Sequence, residues 1–194
     1  MKQEKKRKII SVIGKSGWGK SHFVKQYIHL FDRLLVLDVM NEDEYSAITD
    51  NVFYDFDEFK DFIIEHKEDE KLKIVVRFDD DDDYINALAL AYEAENFTVI
   101  IEEMHNFSSG QSMSKPLSKI LRLGRHKSIS IIGISHRLFD CHNVYRMNID
   151  CLVAFNVTTP SDIDYFKKID WIGEEGANQI EKLERFKCKI FYNN

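Results

Sequence analysis

The sequence predicts an α/β domain in which helices cover both faces of a mostly parallel β-sheet. Apolar runs of strand length alternate with segments of helical periodicity along most of the 194 residues. This alternation is typical of parallel sheets, because parallel neighbours are joined by crossovers that a helix usually provides. With only two prolines and no Gly/Ser/Pro-rich linker, nothing marks a second domain. We therefore expect a basic tail over residues 1–8 and a single domain over residues 9–194.

The strands are expected where five to seven consecutive residues are rich in Ile, Val, Leu and Phe. In chain order these runs are 8–13, 34–39, 72–78, 97–101, 128–134, 151–157 and 187–192. The helices are expected near 20–31, 55–67, 83–95, 114–123 and 161–183. Ligands bind such sheets at the carboxyl ends of the strands, so residues that follow a strand are candidates for a functional site.

A glycine-rich segment directly after the first strand gives the strongest signal. Residues 14–21 (GKSGWGKS) match the Walker A pattern G-x-x-x-x-G-K-[ST], with a strand before them and a helix-compatible segment behind them. Glycine reaches φ values that are closed to other residues, so successive backbone N–H groups can turn inward around phosphates. The motif predicts a P-loop NTPase fold that binds a nucleoside triphosphate. The candidate binding residues are Gly14, Lys15, Ser16, Gly17, Trp18, Gly19, Lys20, Ser21 and His22.

Two side chains of this loop have predicted roles in the chemistry. Lys20 is expected to reach the β- and γ-phosphates, and the Ser21 hydroxyl to complete the coordination shell of a bound Mg²⁺. The predicted cofactors are therefore ATP and Mg²⁺. Trp18 is unusual in so tight a loop, and two interpretations stay open: a neutral filler, or a ring that stacks on a base or on a neighbouring subunit.

Adjacent carboxylates follow the strand 97–101. An acid at this strand end faces Mg²⁺ across from the loop serine, so Glu102 is the candidate metal ligand and Glu103 the candidate base for an attacking water. The alternative is a buried strand that merely ends in two solvated charges. A second acidic run, residues 79–83, could attract metal ions, but it more readily begins the next helix, where carboxylates cap free N–H groups.

The net charge of −6 conceals a basic stretch. Residues 104–139 contain several Lys and Arg residues but no Asp or Glu. The uncompensated positive charge of this stretch favours contact with polyphosphate, either the triphosphate of a neighbouring subunit or a nucleic-acid backbone. A solvated basic helix is the alternative. Arg122 and Arg125 are three residues apart and would share a face of a helix. The basic residues of the stretch are Lys115, Lys119, Arg122, Arg125, Lys127 and Arg137.

The strand 128–134 runs into Ser135, His136 and Arg137 at the same sheet edge. His136 could hydrogen-bond the γ-phosphate or the attacking water, which makes it a candidate catalytic residue. A core or capping histidine is the alternative.

Cysteine usage and hydropathy narrow the class of protein further. The three cysteines show no C-x-x-C spacing, so neither a zinc site nor a disulfide framework is indicated. No apolar stretch approaches the roughly 18 residues that span a bilayer, and no secretory signal is recognisable. We expect an intracellular protein without a transmembrane segment.

Together these motifs resemble the FtsK/HerA superfamily of DNA-pumping ATPases, over about residues 8–192. Within it, the chain is most similar to the genome-packaging ATPases of membrane-containing icosahedral viruses. The resemblance rests on the phosphate loop, the strand ending in Glu102 and Glu103, and the string 123–126 (LGRH) leading into a strand closed by 135–137 (SHR). It departs from the family in having Glu102 where Asp is usual and His136 where Gln is usual.

The resemblance implies a RecA/FtsK-like fold and a homo-oligomeric ring, commonly a hexamer, that hydrolyses ATP at subunit interfaces. It also implies sequence-independent double-stranded DNA as a partner, a capsid or membrane-vertex protein as a further one, and location in the host cell or virion. A trans-acting arginine is implied as well, with Arg125 the first choice and Arg122 the second.

Two other functions remain open from the sequence. A P-loop kinase for a nucleotide or small metabolite would share the loop and could use 115–137 as a basic lid, although Glu102 and Glu103 suit activation of water better than of a hydroxyl acceptor. A nucleotide-dependent interaction protein would bind ATP and barely hydrolyse it.

Overall fold

An eight-stranded sheet forms the centre of the molecule. The computed structural model describes residues 7–157 and 159–193, and within them the strand order is β3-β4-β2-β5-β6-β1-β7-β8. Every neighbouring pair of these strands is parallel except β7 and β8. The predicted α/β fold with a mostly parallel sheet is therefore confirmed. The strands are β1 (Ile9–Ile13), β2 (Arg33–Leu37), β3 (Val52–Phe53), β4 (Leu72–Val76), β5 (Thr98–Ile101), β6 (Ser130–Ser135), β7 (Cys151–Ala154) and β8 (Lys189–Tyr192).

Helices lie on both faces of the sheet, and alternate strand residues divide the core into two apolar clusters. The larger cluster packs against the long helices, and the smaller one against α1 and α2. Short 3₁₀ turns follow α1, β5 and α5, at Ile28–Leu30, Met104–Asn106 and Gly124–Lys127. The helices are α1 (Lys20–Lys25), α2 (Asp43–Ser46), α3 (Phe56–Glu65), α4 (Asp81–Ala94), α5 (Lys115–Leu123), α6 (Asn143–Met147), α7 (Pro160–Lys167) and α8 (Gly173–Glu181).

The structure corrects several predicted elements. The segment 161–183 forms two helices, because Gly173 has a φ of +66° and its N–H bonds back to the Ile169 carbonyl. The helix predicted near 20–31 ends at Lys25 as an α-helix, since the Tyr27 N–H bonds to the Val24 carbonyl in a tighter turn. The elements β3, α2 and α6 were not predicted, because two to five residues show no readable periodicity.

The acidic run 79–83 begins α4, as predicted. The Asp80 carboxylate caps this helix by accepting a hydrogen bond of 2.9 Å from the Asp82 N–H. Of the predicted basic tail, Arg7 donates to the Leu121 carbonyl at 2.9 Å, while residues 1–6, with Lys5 and Lys6, lie outside the described residues. No helix within 7–157 or 159–193 has the length and apolar content needed to cross a bilayer.

Candidate nucleotide-binding site

The phosphate loop connects β1 to α1 at the carboxyl edge of the sheet. Gly14, Gly17 and Gly19 have φ values of +139°, +71° and +101°, as the motif predicts. Gly14 is also required for space, because a Cβ there would lie 2.6 Å from the Cβ of Phe155. The Lys15 N–H donates to the Asn156 carbonyl at 3.2 Å, so the loop is held against the end of β7.

Lys20 lies buried in the first turn of α1. Its ammonium group donates to the Lys15 carbonyl at 3.1 Å and lies 3.4 Å from Nδ1 of His136. Burial lowers the pKa of Lys20, and the charges of Glu103 and Glu102 oppose that shift. The amine is thus positioned inside the loop and loosely bonded, as expected of a group that exchanges these contacts for phosphate oxygens.

Glu102 and Ser21 meet across the site, as predicted. The Ser21 hydroxyl donates to Oε2 of Glu102 at 3.4 Å, and the buried Tyr45 hydroxyl donates to Oε1. Burial raises the pKa of Glu102 to about 7. A hydroxyl and a carboxylate are oxygen ligands of the kind that Mg²⁺ prefers, so these two side chains fit the predicted metal site.

Glu103 follows in a conformation that is rare for a non-glycine residue, with a φ of +52°. Its Oε1 lies 3.4 Å from Nε2 of His136, and its Oε2 lies 3.2 Å from Nδ1 of His105. Oε2 is buried, and its contact with His105 is not aligned as a hydrogen bond, so it accepts no hydrogen bond from the described residues. Backbone strain of this kind is concentrated at functional sites, and a carboxylate oxygen that accepts no hydrogen bond fits a group that receives a proton from water.

A cleft of about 340 Å³ is lined by Lys20, Ser21, Glu102, Glu103 and His136. Ser16, Gly17, Gly19 and His22 of the predicted loop residues also line it, whereas Trp18 packs on the smaller apolar cluster, with Lys15 Nζ 4.9 Å from its ring. Sequence reasoning missed Tyr45, His105, Arg185 and Phe186. The first lies in a four-residue helix, and the last two reach the loop from the far end of the chain.

Three of the six basic residues in the stretch 104–139 have acidic partners from outside that stretch. Lys119 pairs with Glu93 at 3.1 Å, and Lys127 pairs with Glu95. The Arg137 guanidinium bonds both carboxylate oxygens of Asp162 at 3.0 Å. The sequence window contained no acid, but α4 packs beside α5 and supplies the acidic partners of the two lysines from its carboxyl end.

Arg122 and Arg125 are exposed at the amino-terminal edge of β6, opposite the phosphate loop. They do not share one α-helix, because α5 ends at Leu123 and Arg125 lies in the 3₁₀ turn that follows. Neither side chain lines the cleft of its own chain, as far as the described residues show. Both arginines therefore lie away from a nucleotide bound in the cleft of their own chain.

Comparisons with known proteins identify the family to which the chain belongs. A family model described as an AAA domain matches residues 3–139. The chain belongs to the AAA domain family. No curated protein matches the sequence of this chain.

Solved structures similar to this AAA domain protein include two viral packaging enzymes. The genome packaging NTPase B204 of Sulfolobus turreted icosahedral virus 2, in complex with AMP, is 18% identical with a TM-score of 0.76, over 96% of this chain and 92% of that one. The DNA-packaging ATPase B204 of Sulfolobus turreted icosahedral virus is 20% identical with a TM-score of 0.69, over 95% and 96%. The pCW3 conjugation coupling protein TcpA is 13% identical with a TM-score of 0.57, over 97% and 58%. The predicted resemblance is confirmed at the level of the fold.

Proposed function

We propose that this AAA domain protein is an ATP-hydrolysing motor that translocates double-stranded DNA, as a subunit of a homo-oligomeric ring that packages a viral genome. One observation carries the proposal: Lys20, Ser21, Glu102 and Glu103 converge on a single cleft at the carboxyl edge of the sheet. This is the set of groups that phosphoryl transfer to water requires. The fold shared with the packaging enzymes supports the choice of DNA as the partner.

Each group in the cleft has its own role in hydrolysis. Backbone N–H groups of the loop and the Lys20 ammonium bind the phosphates and oppose the charge that develops on them. Mg²⁺, held by Ser21 and Glu102, would supply further neutralisation of that charge. Glu103 accepts a proton from the attacking water, and His136 stands 3.4 Å from both the Glu103 carboxylate and the Lys20 amine, where it can contact the γ-phosphate.

The kinase alternative finds less support. A kinase needs basic residues closed over the acceptor, but Lys119 and Lys127 are paired with acids of α4, and neither they nor Arg122 and Arg125 line the cleft among the described residues. The carboxylate pair favours water as the acceptor.

The experiment that tests the motor is phosphate release from MgATP at several protein concentrations, with and without linear double-stranded DNA. A ring with shared sites gives activity that rises more than linearly with protein and increases further with DNA. Activity that is proportional to protein and indifferent to DNA would contradict the motor and direct the search to phosphoryl acceptors.

Glu103→Gln is expected to lower kcat by about 10²- to 10³-fold and to leave ATP affinity nearly unchanged, because the amide retains the shape but cannot accept the proton of the water. Steady-state phosphate release and equilibrium ATP binding measure the two effects. Glu174→Gln, on the exposed face of α8, is the matched control and should behave as wild type. Retention of wild-type turnover in Glu103→Gln would remove this residue from the mechanism.

Tyr45→Phe is expected to raise the Mg²⁺ concentration for half-maximal hydrolysis by about tenfold. The reason is that loss of a residue that orients a metal ligand typically lowers metal affinity or activity by about 10- to 100-fold. The Tyr45 hydroxyl is the group that fixes Oε1 of Glu102. A titration of activity against Mg²⁺ at fixed ATP measures the shift. The control is Tyr92→Phe, a buried tyrosine of α4; an equal response in both variants would show a general packing effect.

A further inference from the structure

The turn between α8 and β8, residues 182–188, packs on the outside of the phosphate loop. The Arg185 guanidinium donates to the Gly17 carbonyl at 3.1 Å, and a Cβ on Gly19 would lie 2.9 Å from the Phe186 ring. The Asn156 amide donates to the carbonyls of Glu181 and Leu183 at 2.7 and 3.2 Å. The end of β7 therefore holds both the phosphate loop and this turn in one arrangement.

Phe186 is held in an unfavourable conformation with its ring in solvent. Its φ is +64°, which is an outlier for a residue with a bulky side chain, yet the residue is 62% exposed. The Arg185 guanidinium lies over one face of the ring, 4.8 Å from its centroid. An exposed aromatic gains nothing from core packing, so both its strain and its place in the cleft lining point to a ligand with a flat apolar face.

The position of the ring in the cleft identifies the part of the ligand. β1 lies between β6 and β7, and the groups proposed to act on the γ-phosphate, Glu103 and His136, follow β5 and β6. Phe186 precedes β8, on the other flank of the loop. A triphosphate whose γ-phosphate faces Glu103 therefore directs its nucleoside toward Phe186.

We propose that Phe186 is the platform on which the base of a bound purine nucleotide stacks, and that Arg185 positions this ring against the phosphate loop. The inference rests on the proposed nucleotide site and extends it to the base. Of the two aromatic residues near the loop, Phe186 is the one placed to stack on the base, because Phe186 lines the cleft whereas Trp18 packs on the smaller apolar cluster. Stacking acts on the face of any purine, so Phe186 contributes to the binding of both ATP and GTP.

The test compares a ligand that has a base with one that lacks it. Phe186→Leu keeps an apolar side chain against Gly19 but removes the aromatic face, and it should weaken equilibrium binding of ATP by about tenfold, the lower range of base stacking on an aromatic ring. Binding of inorganic tripolyphosphate should stay within twofold of wild type. Phe186→Trp should bind ATP at least as tightly as wild type. Phe139→Ala, which removes another half-exposed phenylalanine, is the matched control.

Either of two results would overturn the base platform. Equal weakening for ATP and tripolyphosphate would show that Phe186 only supports the phosphate loop, and unchanged ATP binding would show that the base lies elsewhere. Thermal melting of each variant reports whether it is folded, and Phe186→Trp gives a second, independent reading. Because these measurements need no DNA, a selective loss for ATP in a protein whose hydrolysis ignores DNA would support the platform while contradicting the motor.

Discussion

Lys20→Ala should lower kcat/KM for ATP hydrolysis by more than about 10³-fold. Loss of a single neutral hydrogen-bond donor to the transition state lowers the rate by about 10²- to 10³-fold, and a charged donor to the transferring phosphoryl group contributes more than a neutral one. In the structure this amine is buried beside Glu102, Glu103 and His136. Its removal leaves the developing phosphate charge without a counter-charge from the loop. Steady-state phosphate release with saturating Mg²⁺ and DNA measures the loss.

Lys15→Ala is the matched control for this prediction. Lys15 belongs to the same loop, but its ammonium lies over the Trp18 ring, outside the cleft. We expect its removal to change turnover only a few-fold. If Lys20→Ala retained a tenth or more of wild-type activity, the phosphate loop would not act in hydrolysis and the proposed function would fail with it.

The core of the site could be predicted from the sequence because its parts are local or tied to strand ends. The phosphate loop is one continuous segment, and its three glycines have the positive φ values that the motif requires. Glu102 and Ser21 are 81 residues apart, yet β5 and β1 lie in one parallel sheet and end at the same edge, so their meeting follows from the alternation of elements.

The remainder of the site depends on contacts that no local pattern encodes. Tyr45 reaches Glu102 from a helix of one turn, and α2 gives no periodic signal. Arg185 and Phe186 reach the loop because β8 pairs antiparallel with β7, which places the start of β8 and the turn before it at the carboxyl edge of the sheet. An arginine beside an aromatic residue in a polar turn was the one available signal. The pairing of Lys119 and Lys127 with α4 was likewise hidden, since charge compensation there runs between helices.

Arg125→Ala should lower kcat by about 10³-fold or more while ATP binding is retained, the effect expected of an arginine that stabilises the transition state of a neighbouring subunit. The reason is its position: Arg125 is exposed at the amino-terminal edge of β6, and the phosphate loop of the same chain lies at the other edge. Phosphate release and equilibrium ATP binding, each at protein concentrations that give the assembled ring, measure the two effects. Arg122→Ala is the matched control and should keep most of the turnover, because the Arg122 guanidinium donates to the Ser118 carbonyl of its own helix at 3.3 Å.

A mixing experiment distinguishes action in trans from action within one chain. Subunits with Lys20→Ala keep Arg125 but have a dead phosphate site, and subunits with Arg125→Ala have an intact site but lack the arginine. Mixed rings should regain activity, because some interfaces then combine the intact loop of one subunit with the arginine of its neighbour. If the mixture stays inactive although size-exclusion chromatography shows mixed rings, Arg125 does not act across the interface. Activity lost in Arg122→Ala and regained in its mixture would transfer the role to Arg122.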